Sequence, residues 1–90
     1  MPGYNLEFNW NNGYTLSFNI HEEFYNYVVK PELDKGNIES KEDDEYVYGL
    51  VVRVIWKRCR EAGYTIGSRD FGDPECFYVW ELGDTRTFFV

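Results

Sequence analysis

Histidine is almost missing from this chain of 90 residues: His21 is the only one. Every Ser- or Cys-based nucleophile scheme would need that one imidazole as its base, so a catalytic triad or a Cys–His pair has no support. Cysteine is limited to Cys59 and Cys76. The two show neither CxxC spacing nor a neighbouring His, which argues against a zinc or redox site. Such sparse cysteine points to a reducing compartment, with both thiols acting as small apolar groups, although a single Cys59–Cys76 disulfide stays open. Positive charge is also short, with nine Lys and Arg against sixteen Asp and Glu, a net −7. Direct nucleic-acid binding needs a basic footprint and anionic membrane surfaces repel acidic chains, so neither is expected as a partner. No apolar run approaches the length of a membrane span. The opening MPGYNLEF has neither the basic region nor the apolar stretch of a signal peptide. A cytoplasmic location is expected.

Aromatic residues are abundant, at 20% of the chain. Large rings bury much area each and offset the poor surface-to-volume ratio of a small domain. The expectation is one compact domain over residues 1–90.

Residues 4–20 carry the clearest pattern. Tyr4, Leu6, Phe8 and Trp10 alternate with polar residues, as do Tyr14, Leu16, Phe18 and Ile20, the period of half-buried strands. Asn11-Asn12-Gly13 separates them. A two-residue Asn-Gly turn would put the two apolar sets on opposite faces. A three-residue loop with Gly13 left-handed pairs Trp10 with Tyr14, Phe8 with Leu16 and Leu6 with Phe18 on one face, and burial selects that register. Asn5, Glu7, Asn9, Thr15, Ser17 and Asn19 then face water.

Beyond Asn19 the period becomes helical. Asn19 to Glu22 resembles a capping box, Phe24, Tyr27 and Val28 share a face, and Pro31 should end or kink the helix near Val29. PELDKG reads as a further short turn. A second helix is expected from Ser40, with Asp43 as its N3 partner, to Gly63 at the C′ position, and with Tyr48, Val51, Val52, Ile55, Cys59 and Ala62 as its apolar stripe. Tyr64-Thr65-Ile66 reads as a short strand. CFYVWEL and TRTFFV flank Gly83-Asp84, a type II′ hairpin signal that sets Glu81 opposite Arg86. This ribbon is apolar on both sides. Cys76, Tyr78, Trp80, Leu82 and Phe89 form one side, and Phe77, Val79, Phe88 and Val90 the other. Either the ribbon is central and wrapped by helices, or one aromatic side meets a partner. The expected fold is two-layer α+β: an antiparallel sheet in ββααβββ order with two helices on one face.

Asp70-Phe71-Gly72 matches the kinase metal-binding tripeptide in letters alone, since the chain has no glycine-rich phosphate loop and is far too short for that fold. A tight loop in which Arg69 and Asp70 hydrogen-bond explains it. Glu42-Asp43-Asp44-Glu45 lacks the alternating ligand spacing and glycine of a calcium loop. No catalytic, cofactor or metal residues are assigned, and the chain is not expected to be an enzyme.

Charge is sorted along the second helix, acids first and bases (Arg53, Lys57, Arg58, Arg60) last. That order complements the helix dipole, at about 0.3–1 kcal/mol per favourable charge. The dipole does not account for the amount of acid: residues 32–45 hold seven acids against two lysines, and Tyr46 and Leu50 project toward the charged side. In size, acidity and lack of motifs the chain resembles phage anti-CRISPR proteins and bacterial toxin-immunity proteins. That resemblance implies an inhibitor that binds a basic, nucleic-acid-contacting surface of another protein. The expected partner-binding residues are Glu39, Glu42, Asp43, Asp44 and Glu45, for electrostatic steering, and Tyr46, Tyr78 and Trp80, as anchors. The alternative is a homo-oligomer that uses its spare sheet face on itself and holds a small ligand between protomers.

Overall fold

The computed structural model describes residues 3–36 and 45–82, with side chains for 3–35 and 50–82. Within them lies an α+β fold: a three-stranded antiparallel sheet with helical segments against one face. Strands β1 (Gly3–Asn9) and β2 (Thr15–His21) form the N-terminal hairpin in the expected register, with Leu6 opposite Phe18 and Phe8 opposite Leu16. Trp10 N–H donates to Tyr14 O at 2.9 Å and Gly13 N–H to Trp10 O at 3.1 Å. Gly13 takes φ 92°, the left-handed conformation the three-residue loop requires.

Strand β3 (Cys76–Leu82) pairs antiparallel with the other edge of β1, so the order is β2-β1-β3. Among the described strands β1 is central and β3 pairs with it along one side. Both edges of β1 are hydrogen-bonded, and its inward side chains Leu6, Phe8 and Trp10 are all buried. The Gly83-Asp84 turn, the Glu81–Arg86 pairing and residues 85–90 lie outside the described residues.

The first helical segment runs through residues 22–36: of the expected end or kink near Val29, the end does not occur, and the helix is irregular there instead. It comprises α1 (Glu22–Phe24), a π-helical turn (Tyr25–Val29) and α2 (Lys30–Gly36). Pro31 lacks an N–H, and in a regular α-helix its ring would strike the carbonyl four residues back. The wide turn just upstream, closed by Lys30 N–H donating to Tyr25 O, relieves that clash, so the helix continues. The same turn shifts the helical phase: Phe24 packs against the core as expected, but Val29 is fully buried and Tyr27, placed on the apolar face, is 80% exposed. Nor does a capping box form. His21 is the N-cap and makes no side-chain cap bond, and Asn19 instead accepts the Asn5 amide across the sheet at 2.8 Å. Tyr4 stacks on Tyr25 at 3.7 Å between ring centroids and fastens this segment to β1.

Helix α3 (Glu45–Glu61) lays Val51, Val52, Ile55 and Cys59 on the sheet, as the stripe predicts. The N-cap expected at Ser40 lies outside the described residues, as does the Tyr48 side chain. Ala62, placed on the stripe, is instead exposed at the helix end. Trp56 is buried and packs edge-on against Phe8 at 5.0 Å and Trp10 at 4.9 Å. Gly63, at φ 87°, closes the helix in a Schellman motif: Gly63 N–H donates to Arg60 O and Tyr64 N–H to Cys59 O, both at 3.1 Å. The chain keeps turning through residues 62–67, so the expected Tyr64-Thr65-Ile66 strand does not form. The backbone that would have paired is spent on the cap. Tyr64 packs on Phe18 and Phe24, and Ile66 points to water. The strand order is therefore not ββααβββ.

Candidate functional site

The helices cover one face of the sheet, and no described element covers the other. Period-two alternation sends Phe77 inward, where it is buried and stacks on Phe8 at 5.5 Å, and sends Tyr78 and Trp80 outward. Both outward rings stay substantially exposed, Tyr78 at 53% and Trp80 at 49%, with centroids 5.9 Å apart and planes tilted by 31°. Across the ladder, Glu7 stands directly opposite Tyr78 and Asn5 opposite Trp80.

The rest of this face is a polar comb with fixed hydrogen bonds. Asn5 Nδ2 donates to Asn19 Oδ1 at 2.8 Å and to Phe18 O at 3.3 Å, while Asn5 Oδ1 accepts from Ser17 Oγ at 3.2 Å. Thr15 Oγ1 donates to Asn9 Oδ1 at 2.8 Å, and Asn9 Nδ2 is buried without a partner. Every described Lys and Arg lies instead on the helices or in the loop that follows α3. The open face thus carries aromatic rings, amides and a carboxylate, and no described Lys or Arg.

The opposite side of the molecule is charge-mixed. A groove of about 550 Å³ runs between α3 and the loop at residues 70–73, lined by Arg53, Trp56, Lys57, Arg60, Asp70 and Asp73. Arg53 faces Asp73 at 3.7 Å, Arg60 faces Asp70 at 3.7 Å, and the Arg60 guanidinium lies 5.7 Å from the Trp56 ring centre. The Asp70-Phe71-Gly72 loop is a structural turn. Asp70 Oδ1 accepts the Gly72 N–H at 3.0 Å, and Trp10 Nε1–H donates to Gly72 O at 2.9 Å.

Of the expected partner-binding residues, only Tyr78 and Trp80 have described side chains, and both stand on the open face. Glu39, Glu42, Asp43 and Asp44 lie outside the described residues. Glu45 and Tyr46 open the α3 backbone, and their side chains are not described. Sequence reasoning missed Glu7 and Asn5 as companions of the ring pair. That β1 rather than β2 would pair with β3 left no mark in the sequence, because both strands alternate equally well.

Cys59 and Cys76 are free thiols. Burial pushes the Cys59 thiol up to about 12. Burial likewise raises Tyr4, Tyr25 and Tyr64, and the His21 N–H that reaches the Tyr64 hydroxyl partly offsets the last of these. Among the described residues no group of three or more His, Cys, Asp or Glu side chains is placed to hold a metal ion, and no helix is long and apolar enough to cross a membrane. Comparison with protein-family models, curated proteins and solved structures finds no match.

Proposed function

We propose that this chain is a small acidic inhibitor that binds another protein and covers a basic, nucleic-acid-contacting surface, in the manner of anti-CRISPR or toxin-immunity proteins. The observation that carries this reading is the pair Tyr78 and Trp80, side by side and half-exposed on a sheet face with no described Lys or Arg. Tyr and Trp are the residues most enriched among interface hot spots, and truncating such an anchor typically costs 2 kcal/mol or more, about thirtyfold in affinity. A net charge of −7 attracts a basic partner and speeds the encounter. In this reading the Glu39–Glu45 carboxylates steer, and the ring pair locks. No catalytic or cofactor role is assigned.

The test is affinity capture from host lysate, followed by kinetics on the recovered partner. Replacing Glu42, Asp43, Asp44 and Glu45 by Lys should slow association and flatten its salt dependence. The Y78A/W80A double variant should speed dissociation. Unchanged rates in both variants would refute the proposal. Homo-oligomerisation is the second reading, favoured by the same exposed rings, which could equally meet their copies across a two-fold axis. Light scattering over a concentration series separates the two, since a monomer throughout removes self-association.

A further inference from the structure

From the composition of the open face we infer that it receives an arginine side chain of the partner, stacked on the Tyr78–Trp80 pair with its guanidinium N–H groups directed at Glu7. This rests on the reading of that face as the partner surface and names the chemistry it selects.

Three observations converge. Glu7 is the direct cross-strand neighbour of Tyr78, and side chains so placed stand about 5 Å apart at Cβ, so a carboxylate borders the rings. Several donors of the polar comb are spent: Asn5 Nδ2, Ser17 Oγ and Thr15 Oγ1 all donate within the sheet, and Asn9 Nδ2 is sealed from solvent. Asn5 Oδ1 accepts one hydrogen bond from Ser17 and keeps a second lone pair. Beside the Tyr78 and Trp80 rings the face offers the Glu7 carboxylate and the Asn5 Oδ1 lone pair, the complement of a ligand that only donates. Lys and Arg side chains are such ligands. Arg fits better, because its planar guanidinium stacks on aromatic faces while its edge binds a carboxylate, whereas a lysine ammonium is a compact, strongly hydrated point charge.

The probes are two peptides of equal length and charge, one with arginines and one with lysines spaced by Gly and Ser. Trp10 and Trp56 are buried at 4% and 3% exposure while Trp80 is 49% exposed, so acrylamide quenching of tryptophan fluorescence reports on Trp80. The arginine peptide should shield Trp80 and bind about tenfold more tightly than the lysine peptide. E7Q and Y78A should each reduce that ratio toward unity. Lysine substitution of Glu42, Asp43, Asp44 and Glu45 should weaken both peptides alike and preserve the ratio. Equal affinities, unchanged quenching, no binding of either peptide, or a ratio insensitive to E7Q each overturn the inference. A partner captured in the pull-down whose binding ignores Y78A/W80A would instead overturn the functional reading, so the two failures are distinguishable.

Discussion

Neighbouring residues on β3 should respond to truncation in opposite ways. Phe77 is 5% exposed and stacks on Phe8 in the core, while Tyr78 stands outside at 53%. A domain of this length has a stability of roughly 5–13 kcal/mol. F77A removes a buried ring and leaves a cavity, a loss of about 3–5 kcal/mol. At about 4–8 °C per kcal/mol for this size, the melting temperature falls by about 12–40 °C. Y78A removes an exposed ring, its cross-strand pairing with Glu7 and its contact with Trp80, together about 0.5–1.5 kcal/mol, and the midpoint moves by less than about 12 °C. Thermal melts by circular dichroism, with urea titrations to confirm unchanged slopes, measure both. Should Y78A cost as much as F77A, the outer face is covered within the chain, or the β3 register is off by one residue and every side chain is reversed. Either result removes the proposed binding surface.

Gly63 at φ 87° should tolerate no Cβ without strain; since only Ile66 lies near, at 3.9 Å, the loss in G63A is conformational, about 1–2 kcal/mol by chemical denaturation, and smaller in G63N. W10F deletes the indole N–H bonded to Gly72 O, at about 1 kcal/mol, and should accelerate hydrogen exchange in the loop at residues 69–75 more than in the sheet. A thiol-specific disulfide reagent at pH 8 should label one cysteine per native chain, Cys76, and two in denaturant, because Cys59 is buried with its thiol pushed up to about 12. For the same thiol the folded value lies above the ordinary 9.0, so its contribution is complete below pH 9 and is lost as pH rises toward 12, with Tyr4, Tyr25 and Tyr64 adding in the same direction above pH 10. Urea midpoints should hold from pH 7 to 9 and then fall, less steeply in C59A.

What the sequence reveals and what it conceals divide along physical lines. The N-terminal hairpin is fully legible, since two alternating runs can share a core face in one register only, and the glycine sits where that register needs a left-handed residue. The C-terminal cap of α3 is legible for the same reason. Trp56 was also within reach, one turn beyond Val52 on the buried stripe. The π turn was not: local propensity says that Pro31 interrupts an α-helix, but not whether the chain ends there or widens to pass. Residues 64–66 failed differently, because three apolar-leaning residues can serve a strand or a cap, and adjacency to Gly63 decides. Of the proposed site, exposure of one ribbon face was an open alternative in the sequence. The neighbours that give that face its chemistry depend on the pairing of β1 with β3, a long-range choice with no local trace.

The widened turn at Tyr25–Val29 and the proline two positions beyond it are permitted in each other's company. Cutting one residue from the turn would restore a regular helix and drive the pyrrolidine ring into a carbonyl, while everything upstream swivelled by about 100° relative to α2. Tyr25 would leave its stack on Tyr4. Exchanging Pro31 for alanine first would remove the obstruction, so the deletion should be far better tolerated second than alone, an order of events that any lineage shortening this segment would have had to follow.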